Sequence, residues 1–254
     1  MIKARHVICA LGKWQSFEPV EKALSEHPFG FSLDKDYSIL QSNPRMQSSF
    51  QVNQDKLPSS MTEEDWKAVD DHSAVAYILS PPIEASKAEL IAVQALRVII
   101  SLFQCGATAI QSESAGLAHG KKRWLNLAAE STQAEDVSDL PKMGASLYYA
   151  WVQKGIVEQN RLNYTLGMHL LGHRDIEYVR TQDTIEKEIK WIDLLGLYLL
   201  FDRPTRPIKE GEGFTLDGTE RKIISVEECK RKATDSFQYN PFGYFRLNPE
   251  KATD

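Results

Sequence analysis

Apolar positions change period along this chain, and the changes predict alternating strands and helices. Residues 7–11 form a short apolar run that stops at Gly12, which suits a buried strand. Ser16 is placed to cap a helix through about His27, with Pro19 in its first turn. Residues 37–40 and 48–52 read as strands separated by the Asn43-Pro44 turn pair. Thr62 opens a further helix whose Glu63, Glu64 and Asp65 sit at its positive end. Residues 74–79 are the clearest buried strand, and Ser86 with Glu89 predicts a capping box after it. A broad apolar face from Leu90 to Phe103 predicts a largely buried helix, closed by Gly106 as a left-handed C-cap. Residues 108–110 continue as a strand leading to Glu113. The unit from 74 to 110 calls for two parallel strands and a right-handed crossover.

Residues 131–139 are polar and acidic with no apolar period and read as a connector. Beyond them a helix is expected over 143–159, a strand over 162–170 and a helix opened by Asp183 and Glu186 and ended by Pro204 and Pro207. An Asp217-Gly218 turn, a strand over 222–226 and an aromatic strand after Asn240-Pro241 follow. The fold class predicted is α+β: mixed sheets covered by helices, with ferredoxin-like βαβ elements in the N-terminal half. The expected division is 1–130, the 131–139 connector, and 140–254 packed as a second half or as one continuous domain with the first.

Composition narrows the function classes. With 254 residues, 42% apolar and 26% charged, the chain has material for a sizeable core. The net charge is −5 and no basic run exceeds three residues, as at Lys121-Lys122-Arg123, so no nucleic-acid face is expected. Cys9, Cys105 and Cys229 are odd in number and far apart, which is neither a zinc pattern nor a disulfide framework. They suit small buried hydrophobes in a reducing compartment. Residues 191–201 are the longest greasy segment, and Asp193 breaks them. No membrane span is expected, and the predicted location is the cytoplasm.

Three phrases carry a family resemblance. They are the 74–82 strand feeding the 86–106 helix, T-L-G-M-H-L-L-G-H-R-D-I-E from Thr165 to Glu177, and G-F-T-L-D-G-T-E from Gly213 to Glu220. In these the chain resembles the bacterial domain-of-unknown-function 4261 family (DUF4261) over roughly residues 7–226. The resemblance implies an α+β cytoplasmic bacterial protein and brings no activity or catalytic residues with it.

Candidate chemistry gathers in two places. His169 and His173 lie four apart beside Gly167 and Gly172, with Asp175 and Glu177 following. On a helix both imidazoles would share a face, but Leu170 stands where a zinc hydrolase needs an acid. On a strand they would be about 13 Å apart, too far for one ion. The competing reading is a strand–turn–strand whose polar groups satisfy backbone, and no metal site is assigned. The second place is Glu113 to Arg123. Gly116, Gly120 and Lys121 suggest an anion cradle after a strand, although the glycine spacing and the residue after Lys122 exclude a P-loop. Glu113, Ser114 and His119 offer an acid, a nucleophile and a base without a nucleophile elbow. Among the tryptophans, Trp151 and Trp191 read as core, and Trp14 as core or a pocket wall. Phe242, Tyr244 and Phe245 read as cover for a sheet edge or as a homodimer contact.

No catalytic set is complete. The expectation is a protein acting through an unknown protein partner or a small ligand, in an accessory or immunity-like role, with no cofactor named. The rival is a hydrolase or phosphate-ester enzyme with Glu113, Ser114, His119, His169, His173 and Asp175 in a cleft between the halves.

Overall fold

The computed structural model describes residues 3–27, 29–55, 59–132, 140–157, 162–180, 183–202, 204, 206–215, 218 and 220–250. Among them are seven α-helices and two mostly antiparallel sheets, an α+β fold.

The first sheet holds β1 (Val7–Gly12), β2 (Ser32–Leu33), β3 (Ala74–Leu79), β4 (Ala107–Ser112) and β5 (Leu117–Ala118) in the order β2-β3-β1-β4-β5. Its helices are α1 (Glu18–Ser25), α2 (Arg45–Asn53), α3 (Glu63–Asp70) and α4 (Ala88–Gln104). Strand β1 pairs antiparallel with both β3 and β4. The two strands joined by α4 therefore run parallel, as expected, with β1 between them in a split unit of ferredoxin-like order. Strand β1 is buried on both faces, which is why its sequence reads as an unbroken apolar run. Ile8 and Ala10 enter the main core, while Cys9 and Leu11 join a smaller cluster with Met46, Phe50 and Val69. Period-2 alternation thus gives the sheet two covered faces, with α2 and α3 supplying the second cover.

The second sheet holds β6 (Gln153–Val157), β7 (Leu162–Leu166), β8 (Asp175–Val179), β9 (Gly213–Thr215), β10 (Arg221–Glu227) and β11 (Tyr244–Pro249) in the order β6-β7-β8-β11-β10-β9. Every ladder is antiparallel except β8–β11. Helix α7 (Ile185–Phe201) packs on β7 and β8, and α6 (Leu140–Trp151) and α5 (Lys121–Thr132) continue from it toward α4 and β4 of the first half. One buried cluster contains Ile8, Leu96 and Ile110 of the first half together with Trp151, Ile176 and Leu247 of the second.

Several local expectations need correction. Residues 48–52 lie in helix α2, because Met46 and Phe50, four apart, are its buried pair while Val52 is 67% exposed. Residues 37–40 form no strand, only an isolated bridge from Ile39 to Val75. Ser16 caps nothing: α1 begins after Phe17, which has no side-chain cap. The Ser86–Glu89 box is absent; residues 85–87 form a 3-10 turn and α4 starts after Lys87. Helix α6 stops at Trp151 and residues 153–157 pair with β7 as strand β6. Thr184, not Asp183, caps α7 by accepting from the Lys187 amide. The capping box at Thr62 and Asp65 is present. The expected connector overlaps α5 at residues 131–132, and its remainder, 133–139, lies outside the described residues, as does Asp217 of the predicted turn.

Candidate functional site

Strand β4 runs into a tight hairpin whose alternation sends Glu113 and Ser114 in opposite directions. The Ser114 hydroxyl is fully buried and accepts the Val7 amide at 3.1 Å, with Ser112 Oγ 3.4 Å away. It ties β4 to β1 and faces no cleft. Glu113 points to the other side, where it accepts from Gln111 Nε2 at 2.8 Å. Burial pushes its carboxyl above the usual carboxylate range, and the Gln111 bond only partly opposes this.

His119 follows β5 and is buried, standing edge-on against Trp124 with ring centroids 4.7 Å apart. Its Nδ1 lies 2.8 Å from Asp55 Oδ2 and its Nε2 lies 3.1 Å from the Tyr149 carbonyl oxygen. Both neighbours are acceptors, so each ring nitrogen faces an oxygen of the scaffold. Burial raises the Asp55 carboxyl, but hydrogen bonds from His119 and Ser60 outweigh it and hold the group below its usual range. Asp55 stands 64 positions from His119, and no local sequence signal announces it.

The anion cradle expected at Gly116, Gly120 and Lys121 is filled from within. The Gly120 amide donates to Ser60 Oγ at 3.0 Å and the Lys121 amide to Asp65 Oδ1 at 2.9 Å. The start of α5 thus already has its carboxylate, supplied by the residue that also caps α3. Gly116 has φ +59, and a Cβ there would lie 3.0 Å from Gln238 Nε2 and 3.2 Å from Leu166 Cδ2. Its glycine identity serves the close approach of this hairpin to the second sheet.

The second place is the strand–turn–strand. Strands β7 and β8 are joined by a 3-10 turn between Gly167 (φ +117) and Gly172 (φ +80). Asp175 is buried and accepts from Thr165 Oγ1 at 3.0 Å, the Met168 amide at 3.2 Å and Asn240 Nδ2 at 2.8 Å. These bonds lock the turn, although burial still leaves the carboxyl above its usual range. His169 Nε2 donates to the Phe237 carbonyl at 3.2 Å, deep in the interior. His173 instead lines a separate cleft of about 680 Å³ with Arg174 and Phe242. The two histidines therefore do not share a site, and among the described residues no group of three His, Cys, Asp or Glu side chains is placed to hold a metal.

His6 carries no local sequence signal of its surroundings. Its ring is fully buried, edge-on to Trp151 with centroids 4.3 Å apart. Among the described residues, His6 Nδ1 and Nε2, His169 Nδ1 and Trp151 Nε1 have no hydrogen-bond partner. Burial, with a smaller contribution from His169, lowers His6 to about 3; burial lowers His169 to about 4. Both rings are thus neutral. With its Nε2 proton on Phe237, His169 presents a bare lone pair at Nδ1.

Loops from both halves do meet, but through scaffold groups. Gln238 Nε2 donates to the Glu113 carbonyl at 3.1 Å, and Asn240 of the same segment holds Asp175. The side-chain hydrogen bonds of His119 and Glu113 go to Asp55, Tyr149 and Gln111, and none joins either residue to His169, His173 or Asp175. One open feature at this junction is a cavity of about 190 Å³ with Asp55, His119, Arg123, Tyr149, Val152 and Lys154 in its wall. Tyr244 and Phe245, expected at an edge or a dimer contact, are buried in β11 between β8 and β10. Trp14 is core, its Nε1 donating to the Cys105 carbonyl at 2.8 Å. Cys9, Cys105 and Cys229 are free thiols; Cys9 is buried and the other two are half-buried.

Fold and cleft together define an α+β protein of two helix-covered sheets with a small cavity of mixed polar and apolar lining at their junction. No protein-family model, no curated protein and no solved structure matches the chain. Among the described residues no helix is long and apolar enough to cross a membrane.

Proposed function

We propose that this protein is a binding module rather than a catalyst, and that it receives a small ligand or a partner's side chain in the His119 cavity. The observation that carries this reading is the commitment of both His119 nitrogens, to Asp55 at 2.8 Å and to the Tyr149 carbonyl at 3.1 Å. A general base needs a free lone pair aimed at the reacting group, and a nucleophilic serine needs that base beside it. Ser114 is buried and bonded to backbone instead. The hydrolase reading asks for groups that here already hold the fold together. An accessory or immunity-like role in a reducing cytoplasm agrees with three free cysteines and the mild negative charge. Kinship with the domain-of-unknown-function 4261 family belongs to the same proposal and adds no activity to it.

The test is turnover. Purified protein is expected to hydrolyse p-nitrophenyl acetate and p-nitrophenyl phosphate no faster than its His119→Gln and Ser114→Ala variants. A wild-type rate that either variant abolishes overturns the binding reading.

A further inference from the structure

Among the charged side chains in the wall of the His119 cavity, one lacks a carboxylate partner among the described residues. Asp55 is paired with His119 at 2.8 Å, and Lys154 with Asp193 at 3.0 Å. Arg123 is half-buried on α5, its guanidinium 5.9 Å from the centre of the Tyr149 ring. Among the described residues no carboxylate pairs with it and no oxygen accepts from its five N–H donors. The cavity wall therefore carries one guanidinium with no anionic partner among the described residues. Guanidinium presents a planar fork whose two parallel donors match a carboxylate.

The opposite character lies beside it. Leu117 and Val152, both buried, and the Tyr149 ring give the cavity an apolar side. At about 190 Å³ it is smaller than the ~300–1,000 Å³ of sites that enclose drug-sized ligands. A nucleotide does not fit; a one-ring acid does. We propose that the cavity binds a small organic carboxylate, its head group on Arg123 and its apolar body against Leu117, Val152 and Tyr149. This rests on the binding reading above and adds the chemical class of the ligand. It also relocates the anion expected at Gly120 and Lys121, whose amides Ser60 and Asp65 occupy, to the side chain of Arg123.

The test uses the whole chain, with benzoate, its neutral isostere benzamide, and inorganic phosphate as probes, followed by amide chemical shifts. Benzoate is expected to shift Leu117, His119 and Val152 saturably, with benzamide at least tenfold weaker. Arg123→Met should weaken benzoate at least tenfold and leave benzamide unchanged. Arg123→Lys, which keeps the charge and loses the fork, should fall between. An unaltered melting temperature and amide spectrum of the free variants separate lost binding from lost fold. Absence of saturable benzoate shifts, equal binding of benzamide, indifference to Arg123→Met, or phosphate tighter than benzoate would each overturn the proposal. Turnover sensitive to His119→Gln sinks the non-catalytic reading alone, since the benzoate titration reads the carboxylate contact independently.

Discussion

Acidification should destabilise this protein through two histidines that the fold holds neutral. His6 and His169 are both fully buried, lowered from 6.5 to about 3 and about 4 respectively. Between those values and 6.5 the unfolded chain binds protons that the native chain refuses. Stability then rises with pH, so the contribution is complete above 6.5 and is lost as pH falls toward 4. The slope is about 1.4 kcal/mol per pH unit for each ring. From pH 7 to pH 5 each histidine costs about 2 kcal/mol and the pair about 4 kcal/mol, a large share of the ~5–15 kcal/mol that stabilises an ordinary domain. Glu113 and Asp175, raised by burial, act in the opposite direction, because the unfolded chain releases protons that the native carboxyls retain. The informative quantity is therefore a difference between proteins. His6→Phe keeps a ring against Trp151, removes two unpartnered buried nitrogens and cannot titrate. Urea unfolding followed by tryptophan fluorescence at pH 7 and pH 5 should show the variant losing about 2 kcal/mol less than wild type over that interval. Equal losses in the two proteins would show that His6 titrates normally in the native state and that its burial does not hold it neutral.

Three further outcomes follow from particular contacts. Gly167→Ala should cost about 3 kcal/mol or more or prevent folding, because φ is +117 and the new Cβ would collide with the Trp151 carbonyl; thermal unfolding reads this directly. Asp65→Ala should destabilise more than Thr62→Ala, which should cost about 1 kcal/mol, since Asp65 serves the box at α3 and also accepts the Lys121 amide; urea midpoints compare them. Ser114→Ala should lower stability by about 1–3 kcal/mol by leaving the buried Val7 amide without its acceptor, while benzoate binding to the folded variant stays unchanged by titration.

Period and local chemistry made much of the first sheet readable. The run 74–79, the apolar face of α4 and the Thr62 cap are local signals, and the structure contains each of them. The glycine pair around His169 likewise announced a turn between strands. Where a segment buries only two side chains, period fails: α2 shows Met46 and Phe50 to the core and little else. Strand β6 was hidden by its continuity with α6, since Lys154 and Gly155 carry no alternating apolar signal. The candidate site was half legible. His119 stood out in its glycine-rich setting, but its meaning came from Asp55, 64 positions away, and from a backbone carbonyl of α6. Gln238, 125 positions from Glu113, is equally beyond any local pattern. Such partners are chosen by topology, not by neighbouring residues.

The β8–β11 ladder is the one seam in the second sheet. On one side β6, β7 and β8 form a meander, and on the other β9, β10 and β11 form a second. Each meander closes with short-range pairings, whereas the seam needs partners such as Arg246 and Glu177, 69 positions apart. Loop-closure entropy places such contacts late in folding. A molecule whose seam has opened shows two strand edges that complement those of any other opened copy, which is the condition for exchanging whole meanders between chains at high concentration.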